Sequence, residues 1–375
     1  MVGGMTEIKQ QGCEQRKRQQ WRQIQDSIFG ISRQALVLSQ TEEAGGICIN
    51  ELTSIVVIII TATAVIDGSL TLGMMLAIQG VIGQLRGPLD DIMDMAYQWQ
   101  DVNISMERID EIHAMDDEET AQRHITAVAD ISIHLEHVSF KYDRMKSTNI
   151  LNDITLDIPQ GCVTAIVGTS GSGKTTLVKL ILGHYAPLQG HIDVGGTPLG
   201  SISLAWWRRQ CGVVMQDGRL FEESIAQNIA LGYDEIDPDR IEYAAHMANI
   251  LDYIDQLPMG FDTILYQGGQ NLSNGQRQRL LIARAIYRMP RLFVFDEATN
   301  SLDTNNETAI VNNLQEVFHD KTVVLIAHRL STVRHADNIV VLHQGRIAEQ
   351  GTHQELVQRR GMYYELVKNQ LDIEE

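Results

Sequence analysis

The eight residues from Gly168 to Thr175 read GTSGSGKT and fit the pattern G-x-x-x-x-G-K-[ST] at every fixed position. The apolar run 162–167 before them predicts a short buried strand, and 176–182 after them predicts a helix. Glycines placed between a strand and a helix let successive backbone N–H groups point at one anion, and the helix N-terminus adds partial positive charge. The sequence therefore predicts a phosphate-binding loop.

Two side chains of this loop have predicted roles on a bound nucleotide. Lys174 can reach the β- and γ-phosphates, and the hydroxyl of Thr175 can hold Mg²⁺. A glycine-rich turn with an incidental lysine is the alternative, and the matched strand and helix argue against it. The residues expected to contact the phosphates are Gly168, Thr169, Ser170, Gly171, Ser172, Gly173, Lys174, Thr175 and Thr176.

Beyond residue 131 the chain alternates apolar strand candidates with helical stretches, which predicts an α/β domain with a mostly parallel central sheet. The strand candidates in this sheet are 162–167, 212–215, 291–295, 322–326 and 338–342. Acidic residues outnumber basic ones 48 to 30, and no basic tract offers a broad nucleic-acid face. We therefore expect no nucleic-acid partner.

The strand candidate 291–295 ends in two carboxylates, Asp296 and Glu297. A strand beside the phosphate loop would deliver Asp296 to the Mg²⁺ ion, directly or through water. Glu297 could polarise a water molecule in line with the γ-phosphate. Two acids at a strand end can also be simply solvated, but their occurrence together with Lys174 favours the functional interpretation.

Residues 272–279 open another predicted helix, and small residues at its start expose N–H groups to an anion. One nucleotide needs only one such site. We therefore predict a dimer in which the second site of one chain caps the γ-phosphate held by the other.

The N-terminal third has a different pattern. Residues 1–44 are polar and helix-like, and they are followed by about 20 mostly apolar residues, the length needed to cross a bilayer. A second, shorter apolar stretch follows a tight turn. We predict membrane helices at about 46–66 and 70–92, and the pattern alone leaves a buried helical hairpin of a soluble protein as the alternative.

With these motifs in place, residues 131–375 resemble the ATP-binding-cassette (ABC) family. Lys174 matches the first phosphate-loop motif of the family, and Asp296 matches the second. Residues 272–276 match the signature L-S-G-G-Q, with Asn274 in place of the first glycine. Four further matches are Gln216 in the loop that joins the core to a helical subdomain, the loop Ser301-Leu302-Asp303 that crosses to a partner chain, the switch histidine His328, and the adenine-stacking Tyr142.

The resemblance implies a P-loop cassette with antiparallel β and helical subdomains, two copies of which sandwich two ATP·Mg²⁺. It implies that Glu297 activates water, that His328 fixes the γ-phosphate, and that Gln216 touches both Mg²⁺ and the attacking water; with Lys174 these are the candidate catalytic residues. The implied Mg²⁺ ligands are Thr175, Gln216 and Asp296. The implied nucleotide contacts outside the loop are Tyr142, Asp303, and Ser273 and Gly275 acting from the partner chain.

Upstream, the chain looks like the last two membrane helices of an exporter-type subunit, and it is most similar to bacterial exporters that carry a peptidase domain and secrete peptides. The segments that look like the exporter helices are 67–75, Pro88 and 105–109, and those most similar to the peptidase-bearing exporters are 7–9, 12–14, 50–52 and 82–85. The implied organisation is a partial transmembrane domain over 1–115, a linker over 116–130, and a cassette over 131–375. We expect an inner or plasma membrane location with the cassette in the cytoplasm.

The chain departs from the family pattern in three respects. A full subunit has six membrane helices, so we expect a C-terminal part of a longer, split or truncated exporter. Asn274 adds a side chain where the family has glycine; if its backbone takes a positive φ, we expect a weakened but working signature. Gln267 replaces a glutamate common in exporters, in a loop that contacts the membrane domain.

The resulting hypothesis is an ATP-hydrolysing exporter subunit that works as a homodimer, with a peptide as the candidate cargo. Two alternatives stay open. One is a nucleotide-binding switch with little turnover, and the other is a non-transport ABC ATPase such as a translation or repair factor.

Overall fold

The structure is a computed structural model in which the chain divides into two compact units, Met1–Asp116 and Asp117–Glu375. The residues that it describes are 5–114, 118, 123–142, 148–266, 269, 271–296, 298, 304–327 and 333–374.

The described residues of the first unit form three helices, α1 (Met5–Gln10), α2 (Glu14–Ile66) and α3 (Leu72–His113). Gly12, with a φ of 59°, makes the turn between α1 and α2. The polar segment and the first apolar segment thus form one continuous helix of 53 residues. The turn after α2 ends at Thr71, whose hydroxyl accepts a hydrogen bond from the Met74 N–H and caps α3.

Among the described residues, α2 is the one helix long and apolar enough to cross a membrane, and its most apolar window has a mean hydropathy of 2.1. The second predicted span is shorter, because the apolar part of α3 covers only Leu72–Leu85. Hydroxyl groups within the apolar part of α2 donate to carbonyl oxygens of the preceding turn, as Thr61 does to Val57 at 2.7 Å. This bonding satisfies the hydroxyl inside its own helix, as an apolar environment requires.

Within its described ranges, the second unit contains two sheets. The first is antiparallel, with strand order β2-β1-β4-β5. Its strands are β1 (Ile133–Phe140), β2 (Leu151–Ile158), β4 (Gln189–Val194) and β5 (Thr197–Pro198). The residues of β1 alternate in burial, since Ile133 and Leu135 are buried and His134 and Glu136 are partly exposed. One face therefore contributes to the core, as in a half-exposed antiparallel sheet.

The second sheet has the order β10-β9-β3-β8-β7-β6. Its strands are β3 (Val163–Val167), β6 (Cys211–Val214), β7 (Leu292–Asp296), β8 (Thr322–Ile326), β9 (Asn338–His343) and β10 (Arg346–Gly351). The strands from β9 to β6 pair in parallel, and β10 pairs antiparallel with β9. The predicted α/β fold with a mostly parallel central sheet is confirmed.

The order of the strands adds a detail that the sequence did not predict. The strand that ends in Asp296, β7, is separated from the phosphate-loop strand β3 by β8. Parallel strands are joined by crossover connections, so distance along the sequence does not fix their order across the sheet. The carboxyl ends of the parallel strands still meet at one edge of the sheet, so Asp296 lies at the same edge as Val167.

Both faces of the central sheet are covered. Val323 and Leu325 of β8 pack with helices that follow β6, whereas Val324 and Ile326 pack toward α4 and the antiparallel sheet. This two-sided burial explains why the strand candidates read as continuous apolar runs. The helices of this unit are α4 (Lys174–Ile181), α5 (Leu204–Gln210), α6 (Ile225–Ile229), α7 (Pro238–Met247), α8 (Leu251–Asp255), α9 (Asn274–Tyr287), α10 (Thr304–Val317), α11 (His353–Arg359) and α12 (Met362–Glu374).

Helices α6 to α9 form the helical subdomain that the sequence resemblance implies. They share one apolar cluster, in which Ile229, Ala244 and Ile282 are fully buried. The start of α9 and the loop after β6 are therefore held by the same packed group of helices.

Candidate functional site

The predicted phosphate loop lies between the end of β3 at Val167 and the start of α4 at Lys174. Gly168, Gly171 and Gly173 have φ values of 152°, 76° and 104°, in the region where a side chain is strained. Gly173 occupies the N-cap position of α4, and a Cβ there would lie 2.7 Å from Cδ2 of Leu151. The backbone of the loop therefore requires glycine at these positions.

Lys174 is buried, with 6% of its surface exposed, and its ammonium group is held across the loop. The Nζ atom donates to the carbonyl oxygens of Gly168 at 2.9 Å and Thr169 at 3.1 Å. A buried positive charge next to a helix N-terminus and a curled glycine loop forms a local anion site. This site acts against the formal net charge of −18 of the chain.

Tyr142 follows β1 and contacts the first turn of α4, directly after the phosphate loop. Its hydroxyl lies 3.2 Å from the Thr176 hydroxyl, and 48% of its surface is exposed. Its ring packs edge-on against Phe140 and Tyr185, with centroid distances of 5.1 and 5.2 Å. Sequence reasoning missed Tyr185, although an aromatic residue just after the phosphate-loop helix is a signal that could have found it.

The side chains that could hold Mg²⁺ come from three elements. Asp296 is the last residue of β7 and is fully buried, Gln216 lies two residues beyond β6, and Thr175 lies in the first turn of α4. Strands β6 and β7 are adjacent and in register, with Val214 opposite Phe295. Carboxylate, amide and hydroxyl oxygens form a hard donor set that suits Mg²⁺. In the described part of the chain, no cluster of three or more His, Cys, Asp and Glu residues suggests a different metal site.

The second predicted anion site lies at the start of α9. Ser273 is the N-cap, and its hydroxyl accepts from the Gln276 N–H at 3.2 Å while the Gln276 side chain accepts from the Ser273 N–H at 2.9 Å. Asn274 is the first residue of the helix and has a helical backbone, so the positive φ considered for it is not found. Asparagine in place of glycine therefore causes no backbone strain at this position. What distinguishes Asn274 from the glycine of the family signature is its exposed side chain.

Several predicted site residues lie outside the described residues. These are the water-activating Glu297, the partner-facing Asp303, the switch histidine His328 and the loop residue Gln267. Their roles stay predictions. Of the remaining predicted residues, the structure places Tyr142 beside the 168–176 loop, Gln216 and Asp296 at the ends of adjacent strands, and Ser273 and Gly275 at the start of α9.

Comparison with known proteins shows which family this chain is similar to. Residues 151–300 match the family model described as ABC transporter. The chain is 38% identical over 92% of its length to the leukotoxin export ATP-binding protein LtxB of Aggregatibacter actinomycetemcomitans, and 37% identical over 94% to the leukotoxin translocation ATP-binding protein LktB of Mannheimia haemolytica. These matches cover 48% and 50% of the relatives, so the chain spans about half their length.

A solved structure is also similar. The structure of a bacterial Atm1-family ABC exporter with ATP bound superimposes with a TM-score of 0.92 and 31% identity, covering 98% of this chain and 65% of that one.

Proposed function

Because this chain belongs to the ABC transporter family and has exporter-type relatives, we propose that it binds and hydrolyses ATP to drive export across a membrane. The observation that carries this proposal is the Lys174 ammonium, fixed by two loop carbonyls at the N-terminus of α4. A triphosphate would replace neutral loop oxygens with charged ones as partners of the lysine.

Each part of the nucleotide has a proposed partner in the described residues. The Tyr142 ring stacks on adenine, and the amides of the 168–176 loop bind the phosphates. Thr175, Gln216 and Asp296 hold Mg²⁺, which neutralises charge on the β- and γ-phosphates when bound. Asp296 is suited to a cation because it is a fully buried carboxylate at the edge of the sheet where the loop begins.

For the chemical step we propose roles on residues beyond the described part. Glu297 orients a water molecule and accepts its proton while the water oxygen attacks the γ-phosphorus. The bond from the γ-phosphorus to the β–γ bridging oxygen breaks, and ADP leaves with that oxygen. His328 fixes the γ-phosphate during this displacement, and Gln216 contacts the attacking water.

We propose that the working unit is a head-to-tail dimer. Ser273 and Gly275 at the start of α9 would cap the γ-phosphate held by the partner subunit, and Asp303 would lie in the crossing loop. Opening and closing of this dimer would move the membrane helices. The exposed apolar surface of α2 supports a membrane location, since only 6% of the most apolar 18-residue segment of this helix is buried. The cassette would then lie in the cytoplasm at the inner membrane.

We propose a polypeptide as the exported cargo. The support is the names of the relatives, which describe export and translocation of leukotoxins. Among the described residues, the apolar segments that could contribute contacts with the cargo are those of α2 and α3.

The test uses the full chain in detergent or nanodiscs. We expect Mg²⁺-dependent release of phosphate from ATP, loss of ATP binding in Lys174→Ala, and retained ATP binding without release in Glu297→Gln. Lys179→Ala is the matched control, because Lys179 lies on the same helix beyond the loop. A folded wild type with no affinity for ATP·Mg²⁺ would refute the proposal, and binding without turnover would favour a nucleotide-binding switch.

A further inference from the structure

Arg284 lies on α9 and reaches across to the chain segment that follows Gln216. Its Nε donates to the carbonyl oxygen of Asn228 at 2.7 Å, its Nη1 to that of Arg219 at 2.9 Å, and its Nη2 to the Asn228 side-chain oxygen at 3.0 Å. The guanidinium also lies 5.7 Å from the centroid of the Phe221 ring. One side chain of α9 thus holds both ends of the segment 219–228.

Asn228 closes this segment from the other side. Its side-chain oxygen accepts from the Phe221 N–H at 2.8 Å, and its amide donates to carbonyl oxygens of Phe221, Glu223 and Ser224 at 3.0 to 3.3 Å. Only 1% of Asn228 is exposed. We call Arg284 and Asn228 together the Arg284 clamp.

The clamp uses the hydrogen-bond donors of arginine more than its charge. Among the described residues, the hydrogen-bond acceptors of Arg284 are three neutral oxygens rather than a carboxylate. Burial lowers the pKa of Arg284 to about 10, with the nearby Glu223 charge opposing part of this shift. Partial burial of a charge against neutral partners is a poor source of stability. What arginine supplies here is a rigid fork of donors that spans several acceptors at once.

The same face of α9 contacts the loops at both predicted nucleotide sites. Leu281 packs on Gly218, where a Cβ would lie 2.6 Å from Cδ1 of the leucine. Arg277 donates to the carbonyl oxygen of Gly269, just before the start of α9, at 3.3 Å. Residues 277, 281 and 284 share a face by their helical spacing. Gln216 is therefore two residues before Gly218, which contacts α9, and α9 has Ser273 as its N-cap.

We propose that Arg284 and Asn228 are positioning residues that make the segment after Gln216 and helix α9 move as one body. A displacement of Gln216 at one nucleotide is thereby carried to Ser273, which in the proposed dimer faces the nucleotide of the partner subunit. This inference rests on the proposed function and adds to it the residues that couple the two nucleotide sites.

The test compares Arg284→Gln and Arg284→Lys with Arg279→Gln in the full chain. Arg279 is the matched control, since it lies on the same helix and donates to the carbonyl oxygen of Asn249, away from Gln216. For both Arg284 variants we expect a fall in kcat of about tenfold, the typical value of one charge-assisted hydrogen bond. ATP affinity should stay within about twofold, because the loop and Tyr142 are untouched, and the Hill coefficient for ATP should fall toward one.

Arg284→Lys separates geometry from charge. Lysine keeps the charge but cannot span Arg219 and Asn228, so it should not rescue turnover. If Arg284→Gln fails to fold, Arg284→Lys carries the test. Amide hydrogen exchange gives a readout that does not depend on turnover. In wild type and in Arg279→Gln, binding of ATP·Mg²⁺ should change the exchange protection of both segments, 219–228 and 274–287. In Arg284→Lys it should change the protection of 219–228 alone.

The outcomes separate the two ideas. If the wild type hydrolyses ATP and both Arg284 variants match Arg279→Gln in kcat and Hill coefficient, the clamp is overturned and the proposed function stands. Rescue by lysine would also overturn the clamp, because charge alone would then suffice. A wild type that neither binds nor hydrolyses ATP would overturn both.

Discussion

Two glycines of the phosphate loop and one glycine outside it offer a sharp prediction. All three have a positive φ, but they differ in the atoms that an added Cβ would meet. Gly173 has a φ of 104°, and an added Cβ would lie 2.7 Å from Leu151 Cδ2. Gly171 has a φ of 76°, and no described atom lies within 4 Å of an added Cβ. Gly161, outside the loop, has a φ of 75° and equally open surroundings. Alanine at these positions therefore separates backbone strain from steric overlap.

The expected magnitudes follow from these differences. Alanine in a left-handed conformation costs about 1–2 kcal/mol. Overlap with a buried side chain adds about 1–3 kcal/mol at Gly173, because Leu151 is fully buried and has little room to move. If this free-energy cost destabilises the loop conformation that binds ATP, ATP affinity should drop roughly 5- to 30-fold for Gly171→Ala. For Gly173→Ala the drop should be roughly 30-fold to a few thousandfold.

The assay is calorimetric or fluorescence titration of the full chain with ATP·Mg²⁺, combined with thermal denaturation without nucleotide. Gly161→Ala should lower stability by about 1–2 kcal/mol and leave ATP affinity unchanged, because its strain lies in the turn between β2 and β3. The reasoning is refuted if Gly173→Ala binds ATP within threefold of Gly171→Ala, since the contact with Leu151 would then be harmless.

Three further predictions concern single side chains. Tyr142→Ala should weaken ATP binding about tenfold by removing the stacking ring, whereas Tyr142→Phe, which loses only the contact with Thr176, should bind within about threefold of wild type in the same titration. Asn274→Gly should raise the steady-state rate of phosphate release several-fold with unchanged ATP affinity, and an unchanged rate would show that the dimer accommodates the exposed amide. The Asp157 carboxylate, bonded to His134, raises the pKa of that histidine. The contribution of this pair to the stability of the fold is therefore fully present below the pKa of about 6.5 that the histidine has in the unfolded chain. This contribution is lost as the pH rises through the higher pKa that the histidine has in the folded chain. His134→Gln should flatten the pH dependence of Tm above about pH 6.5 relative to wild type, and an identical profile would contradict this.

The sequence predicted the features that depend on neighbouring residues. The glycines, lysine and flanking strand and helix of the phosphate loop lie within about 20 consecutive positions, so their pattern specifies local geometry. The parallel sheet was predictable for the same reason, because each apolar run reports burial on both faces.

Features set by distant contacts were missed. The place of β8 between β3 and β7 depends on crossover connections and leaves no mark on the strands themselves. The bonds from Arg284 to Asn228 join residues 56 positions apart, and an arginine in a helix gives no sign of its acceptors. The edge-on contact of Tyr185 with Tyr142 likewise arises only when the end of α4 is brought beside β1.

The unbroken course of α2 has a mechanical consequence. At 1.5 Å per residue its 53 residues extend about 80 Å, against a hydrocarbon thickness of about 30 Å. In the proposed bilayer setting, well over half of this helix would project from the lipid, with no proline along it and with Gly45-Gly46 as its most flexible point. A sideways push near Trp21 would therefore tilt the apolar segment only to the extent that the helix does not bend at this glycine pair.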